Sequence, residues 1–122
     1  MGLFDLFRSK SKAEKLGHLK SLLAMAMADS KISEEEKVVI AAICKREGIN
    51  ADDMRKCLDQ DIIYPTDIST RRKYLSDMLV VMIADGEIDE NELLFFRITA
   101  RAMGMQNEAE ILINSAEQAI NK

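Results

Sequence analysis

Residues that interrupt helices are scarce in this 122-residue chain, which contains one proline and five glycines. Runs in which β-branched and polar residues alternate are also rare, so the sequence offers no strand of useful length. Residues that lose little rotamer freedom in a helix, such as Ala, Leu, Met, Glu and Lys, are common instead. Because 48% of the residues are hydrophobic, the chain can form a modest core, and we predict one small, all-helical domain.

Groups that support common enzymatic chemistry are few. His18 is the only histidine. It lies in a helical pattern far in sequence from either acidic loop, so we expect a solvated or partly packed side chain rather than a catalytic base. No glycine-rich phosphate loop is present, and no closely spaced His or Cys suggests a zinc site. The sequence therefore predicts a protein that is not an enzyme.

The cysteines, the net charge and the apolar runs indicate what kind of protein this is and where it is found. Cys44 and Cys57 form neither a metal-like pair nor a disulfide framework, and no signal peptide precedes them, so we expect reduced thiols in a cytoplasmic protein. Cys44 lies on an apolar helix face, which favours core packing. The net charge of −4 argues against nucleic-acid binding, which usually needs a basic surface. The longest apolar run, Met78 to Ala84, is too short to cross a bilayer.

Helical periodicity is clear from residue 12 onwards, where apolar residues recur every three or four positions. It predicts a first helix over about Lys12–Ala28 and a compact bundle of six to seven helices. Pro65 marks a central connection over 61–67, and Gly48 and Gly104 are natural helix ends. We take residues 12–122 as the domain and 1–11 as a separate segment. Core packing is also expected for four methionines at helical spacing: Met25, Met27, Met78 and Met82.

The N-terminal segment differs in composition from the rest of the chain. The first twenty residues contain five Lys or Arg and two acidic residues, and apolar bulk at Leu3, Phe4, Leu6 and Phe7 accompanies them. A basic amphipathic stretch can lie on an anionic membrane surface, which would give peripheral membrane contact. Alternatively, the apolar side chains pack onto the domain, or the segment frays.

An internal repeat appears when the chain is shifted by 56 residues, so that Leu23–Ile49 lies over Leu79–Met105. Each copy contains the pattern Ala-Asp-x-x-Ile-x-Glu-x-Glu between two helices, which predicts a two-fold helix–acidic loop–helix arrangement. Seven pairs are identical: Leu23 and Leu79, Ala28 and Ala84, Asp29 and Asp85, Ile32 and Ile88, Glu34 and Glu90, Glu36 and Glu92, and Gly48 and Gly104.

Two interpretations of the acidic loops compete. Ser33 with Glu36, and Asp89 with Glu92, have the spacing of capping boxes, which would explain these residues without any ligand. Asp29 and Asp85 are less well explained, because a negative charge is disfavoured at the C-terminal end of the preceding helix. These two residues either form turns or help to hold a hard cation such as calcium or magnesium.

A standard EF-hand is excluded by the residues that precede the second loop. With Gly86 at the sixth loop position, Asp85, Asp89 and Glu92 fall at the fifth, ninth and twelfth positions, but Val81 and Ile83 fall at the first and third, where side-chain oxygens are needed. An ion site would therefore need ligands from both loops, or it would be weak.

The paired stretches Ala28–Glu36 and Ala84–Glu92 resemble the TerB-like domain of tellurite-resistance proteins, and the resemblance covers about residues 12–121. It implies a compact helical fold in which acidic loops lie close together, a role in resistance to tellurite and other stresses, and metal binding by acidic residues. Ser30 and Ser33 depart from the pattern in the first loop. The metal ligands that the resemblance implies are Asp29, Glu36, Asp85, Asp89 and Glu92.

The sequence thus leads to a non-catalytic, TerB-like stress protein whose acidic loops bind a divalent cation or a basic partner. The alternative is a structural module without a metal site that docks on a protein or a membrane surface through its apolar helix faces or its basic N-terminus. Cation-dependent stabilisation favours the first hypothesis, and self-association or liposome binding favours the second.

Overall fold

A computed structural model describes residues 3–28, 31–59 and 61–121, with side chains from residue 12 onwards. Within these ranges every regular element is an α-helix, which confirms the predicted all-α fold and bundle. The six helices are α1 (Leu3–Ala26), α2 (Glu34–Glu47), α3 (Ala51–Cys57), α4 (Ile68–Met82), α5 (Glu90–Ala102) and α6 (Gln106–Ile120).

Helix ends are set by local sequence. The Ser33 side chain caps α2 by accepting a hydrogen bond from the Glu36 amide. The Glu36 side chain in turn accepts a hydrogen bond from the Ser33 amide, so the predicted capping box forms. α2 ends at Gly48, which adopts a left-handed conformation with φ of 69°. Gly104 has φ of 71° after α5. Such values favour glycine because a Cβ would crowd the backbone.

The first helix is longer at its N-terminus than predicted. α1 begins at Leu3 rather than Lys12 and ends at Ala26 rather than Ala28. The periodicity test missed the first residues because Leu3, Phe4, Leu6 and Phe7 do not form a narrow apolar stripe. The backbone of α1 therefore crosses the predicted boundary between residues 11 and 12 without a break.

α1 and α4 form the centre of the bundle. α1 packs against α2, α3, α4 and α5, and α4 packs against α1, α2, α5 and α6. Among the described residues, no helix combines the length and the hydrophobicity that a membrane span requires. The largest fully buried apolar side chains come from α1, α4, α5 and α6: Leu19, Leu22, Met25, Leu75, Met78, Met82, Phe96 and Ile113.

Gly17 allows the central connection to approach α1 closely. A Cβ at this position would lie 2.9 Å from the amide nitrogen of Ile63 and 3.2 Å from the carbonyl oxygen of Asp61. Those are backbone atoms, so they cannot move aside as the end of a flexible side chain would. The connection also buries Pro65, and it covers the part of α1 that carries His18.

Most predicted core residues are buried, including Cys44, Met25, Met78 and Met82. The prediction for Met27 was wrong, because this side chain is 55% exposed and lies just after the end of α1. Helical spacing alone cannot tell a residue within the helix from one just past its last turn.

Candidate cation site and a buried histidine network

The second acidic loop is held by its own carboxylates. Asp85 Oδ1 accepts a hydrogen bond from the Glu87 amide at 3.1 Å, which is a turn stabilised by the side chain. Asp89 Oδ1 accepts from the amides of Asn91 and Glu92 at 2.9 and 3.1 Å and caps α5. Among the described residues, these bonds use one oxygen of each aspartate. The predicted capping box is incomplete, because the return bond from the Asp89 amide to Glu92 is not made.

Three predicted ligands share one surface depression of about 420 Å³. Asp85 is exposed and Asp89 is partly buried, whereas Glu92 is only 3% exposed. Carboxylate oxygens of this kind suit a hard divalent cation. The depression is lined by Asp85, Glu87, Ile88, Asp89, Glu90, Asn91 and Glu92.

The first acidic loop leads into Glu36, a carboxylate that is unusually buried. Glu36 is 2% exposed, although it stands in the first turn of α2, where glutamates are normally solvated. Its Oε1 accepts the capping bond from the Ser33 amide at 2.9 Å. Its Oε2 is buried and makes no hydrogen bond with any residue that the structure describes. Buried polar atoms are nearly always paired, so this oxygen requires an explanation.

The ligand set inferred from the TerB resemblance is only partly assembled. Asp29 and Ser30 lie outside the described residues. Glu36 does not line the depression that holds Asp85, Asp89 and Glu92. Within the described ranges, no three His, Cys, Asp or Glu residues are grouped so that they could hold a metal ion. Glu36 Oε2 fits a cation by its chemistry, and the complete ligand set stays a prediction.

A second polar cluster, which the sequence did not predict, joins α1, α2 and α4. His18 Nε2 lies 2.8 Å from Asp77 Oδ2, and its ring stacks on Tyr74 with centroids 3.7 Å apart. Arg46 donates to both oxygens of Asp77, at 2.9 and 2.7 Å. His18 is 5% exposed, which is deeper burial than the solvated or partly packed side chain that the sequence predicted. We call these four residues the histidine network.

Burial and charge decide the protonation of this network. Burial lowers the pKa of His18, although the hydrogen bond with Asp77 opposes this effect. Burial alone would raise the pKa of Asp77, but hydrogen bonds from His18 and Arg46 hold it below its usual value. A neutral ring beside an ionised carboxylate must donate its Nε2–H. Burial also raises the pKa of Tyr74 to about 12.

Neighbouring cations are likewise engaged rather than simply solvated. Lys73 Nζ lies 2.8 Å from Glu47 Oε1, and Arg72 pairs with Glu108 at 3.1 Å. Arg71 donates to the carbonyl oxygens of Pro65 and Met103. Their partners lie on other elements, which a local pattern cannot reveal.

Among the described residues, little space adjoins the histidine network. The space beside the rings of His18 and Tyr74 has a volume of about 10 Å³, enough for at most one water molecule. Ser21 also lines this space, yet a Ser and a His without access for a substrate do not make a hydrolytic site. We therefore assign the network a structural role.

Sequence reasoning missed the network because its members are distant along the chain. His18 and Asp77 are separated by 59 residues. One local signal existed: Tyr74 and Asp77 are polar residues three apart on a helix whose remaining inner positions are apolar. A buried polar pair at such spacing indicates that a partner lies across the core.

Comparison with known proteins identifies no relative: no family model, no curated protein and no solved structure matches this chain.

Proposed function

We propose that this chain is a non-catalytic, TerB-like stress-response domain that binds a divalent cation, calcium or magnesium, through its acidic loops. The observation that carries the proposal is the buried Oε2 of Glu36, which has no hydrogen-bond partner among the described residues. Asp85, Asp89 and Glu92 line one depression and would add carboxylates to the site, although among the described residues these three do not form a metal-holding group by themselves. The resemblance of both loops to the TerB pattern supplies the functional class.

The energetic argument concerns the cost of the unpaired oxygen. Leaving a buried acceptor without a partner costs about 1–3 kcal/mol, and more when the group is charged. A protein tolerates that cost where a ligand supplies the missing interaction. A hard cation is the natural partner of a carboxylate oxygen, because it removes both the unsatisfied lone pair and the buried charge.

The acidic surroundings favour a cation over a neutral donor. Glu34 and Glu35 precede Glu36 in the first turn of α2, and Glu87 and Glu90 accompany the aspartates of the second loop. Each group adds negative potential to its loop, which attracts cations and weakens as salt is added.

The test is a calorimetric titration with Ca²⁺ and then Mg²⁺, together with thermal unfolding at each cation concentration. The wild type is compared with Asp85→Asn and Glu36→Gln. Glu35→Gln is the matched control, since Glu35 is an exposed carboxylate in the same helical turn as Glu36. We expect saturable binding by the wild type and the control. A cation at one hundred times its Kd should stabilise the fold by about 2.7 kcal/mol.

Binding that both site variants weaken and the control leaves intact would support the proposal. Equal binding by all four proteins would show only nonspecific screening and would overturn it. If neither cation binds at about millimolar concentration, well within the range of weak protein calcium sites, the loops act as helix caps. A basic protein partner would then be the alternative for the acidic surface.

A further inference from the structure

We propose that the outer face of α5 is an interface at which two copies of this chain pair with their α5 helices antiparallel. The proposal does not depend on the cation site. The face carries two large apolar side chains, Leu94 and Ile98, and each of them is 58% exposed. Apolar surface of this kind is removed from water when a partner covers it, which favours association.

Helical geometry places Leu94 and Ile98 on the side of α5 that faces away from the core. At about 100° per residue, the two side chains lie about 40° apart, and their midpoint is about 180° from Phe96. Phe96 is fully buried in the core of the bundle. Exposed apolar residues that occur singly need no explanation, but Leu94 and Ile98 are neighbours one turn apart and form a continuous patch.

The same face carries one charge of each sign, at opposite ends of the apolar patch. Glu90 at the start of α5 and Arg101 near its end are both exposed. Neither side chain forms an ion pair or a hydrogen bond with another described residue. Arg97, which borders the patch, is by contrast paired with Glu110 at 2.9 Å. The charges at the two ends of the face are therefore available to a partner.

The order of these groups along α5 is complementary to itself. At 1.5 Å per residue, Glu90 lies about 9 Å before the midpoint of Leu94 and Ile98, and Arg101 lies about 7.5 Å after it. When two copies pair antiparallel about this midpoint, Leu94 of each copy meets Ile98 of the other. Glu90 of each copy then lies within about 2 Å, measured along the axis, of Arg101 of the other. A two-fold interface pairs its residues reciprocally in this way.

Charge favours a second copy over a membrane as the partner. An anionic lipid surface would attract Arg101 but repel Glu90, together with the exposed Asp85 and Glu87 of the adjoining loop. A protein partner of one sign would likewise match only one end of the face. A second copy matches both ends. Because the contact covers only about three turns of one helix, we expect a weak dimer with a Kd between about 1 μM and 1 mM.

The first test is sedimentation velocity of the full chain over that concentration range, in the presence of a chelator so that no divalent cation changes the charge near Glu90. Leu94→Gln removes an apolar contact from each copy. Ile111→Gln is the matched control, because Ile111 is 65% exposed on α6, away from the proposed interface. Circular dichroism checks that every variant is folded.

We expect the wild type and Ile111→Gln to change from monomer to dimer with the same midpoint concentration. Leu94→Gln should dimerise at least about ten-fold more weakly, since each dimer loses two buried leucine side chains.

Charge reversal tests the antiparallel order. Glu90→Lys and Arg101→Glu each place like charges opposite each other at both ends of the interface, so each variant should dimerise about ten-fold more weakly. The double variant Glu90→Lys/Arg101→Glu restores opposite charges across the interface and should regain the wild-type midpoint. Within one copy the two positions are about 16 Å apart, beyond the screening length at physiological salt, so the recovery must come from the other copy.

Glu34→Lys controls for the change in net charge. Glu34 is the first residue of α2, as Glu90 is of α5, and its side chain is 84% exposed. This control should dimerise like the wild type.

Three results would overturn the proposal. The wild type stays monomeric up to about 1 mM, Leu94→Gln dimerises like the wild type, or the double charge reversal dimerises no better than the single variants. Co-sedimentation with phosphatidylglycerol vesicles identifies the competing occupant: a monomeric wild type that binds these vesicles, and loses binding in Leu94→Gln, would make this face a membrane contact.

Discussion

Two buried carboxylates in this molecule, Asp77 and Glu36, differ in how completely their oxygens are hydrogen-bonded. Asp77 receives three hydrogen bonds, two from Arg46 and one from His18, all between 2.7 and 2.9 Å. Glu36 is as deeply buried, but one of its oxygens has no partner within the described part of the chain. A satisfied buried carboxylate links elements of a fold. An unsatisfied one lowers stability until something binds it, and this difference separates the structural cluster from the candidate site.

The largest loss of stability is expected when Asp77, the fully hydrogen-bonded carboxylate, is removed. Asp77→Ala leaves the buried His18 donor without its acceptor and removes the partner of Arg46. We expect the free energy of unfolding to fall by about 2–4 kcal/mol, below the upper range for buried pairs because Arg46 is 44% exposed.

Urea denaturation measures this change, and Asp52→Ala is the control. Asp52 also pairs with an arginine, at 3.2 Å, but both side chains are at least 75% exposed. Its removal should alter stability by less than about 0.5 kcal/mol. A loss below about 1 kcal/mol for Asp77→Ala would contradict a linking role for the histidine network.

A smaller effect is expected when the histidine network is titrated. Since burial lowers the pKa of His18, the unfolded chain binds a proton near pH 6.5 that the folded protein does not yet bind. Stability is therefore fully present above that pH and decreases as the pH falls below it, with a slope of at most about 1.4 kcal/mol per pH unit.

Denaturation at several pH values between 7.5 and 5, a range around the ordinary histidine pKa of about 6.5, measures this slope. Asp77 and Glu47 do not interfere, because their pKa values are lowered and their contributions are lost only in more acidic solution. His18→Gln keeps a donor but cannot titrate, so its stability should be nearly flat in this range. An equal slope in wild type and variant would assign the pH dependence to other groups.

The parts of the fold that depend on local chemistry were predictable from the sequence. Ser33 and Glu36 fix the start of α2 through bonds within one turn, and Gly48 ends the same helix because its left-handed backbone favours glycine. The periodicity of α4 likewise predicted a helix with buried Met78 and Met82. In each case the residues that interact are within a few positions of each other.

What the sequence did not predict depends on packing between helices. Neither the pairing of His18 with Asp77 nor the burial of Glu36 follows from local spacing, because a capping glutamate is identical in sequence whether it is solvated or covered. The predicted ligands show the same limit. Asp85 and Asp89 were recognised as acidic loop residues, but which carboxylates line the same depression is a tertiary property, and Glu36 is not among those that line theirs.

The smallest change in stability is expected for Glu36→Gln, and it tests the difference between Glu36 and Asp77 most directly. Glu36→Gln keeps an oxygen that can accept the Ser33 amide bond, and it replaces the unpaired charged oxygen by an amide nitrogen. Without divalent cations, the loss of a buried charge and the gain of an unpaired donor nearly offset each other, so stability should change by less than about 1 kcal/mol.

Asp77→Asn, which removes the same charge from a carboxylate whose oxygens are hydrogen-bonded, should lower the free energy of unfolding clearly more. Urea denaturation in the presence of a chelator compares the two variants directly. If Glu36→Gln were as destabilising as Asp77→Asn, the Glu36 carboxylate would be a structural element of the fold, and the argument for a cation at Glu36 would lose its energetic basis.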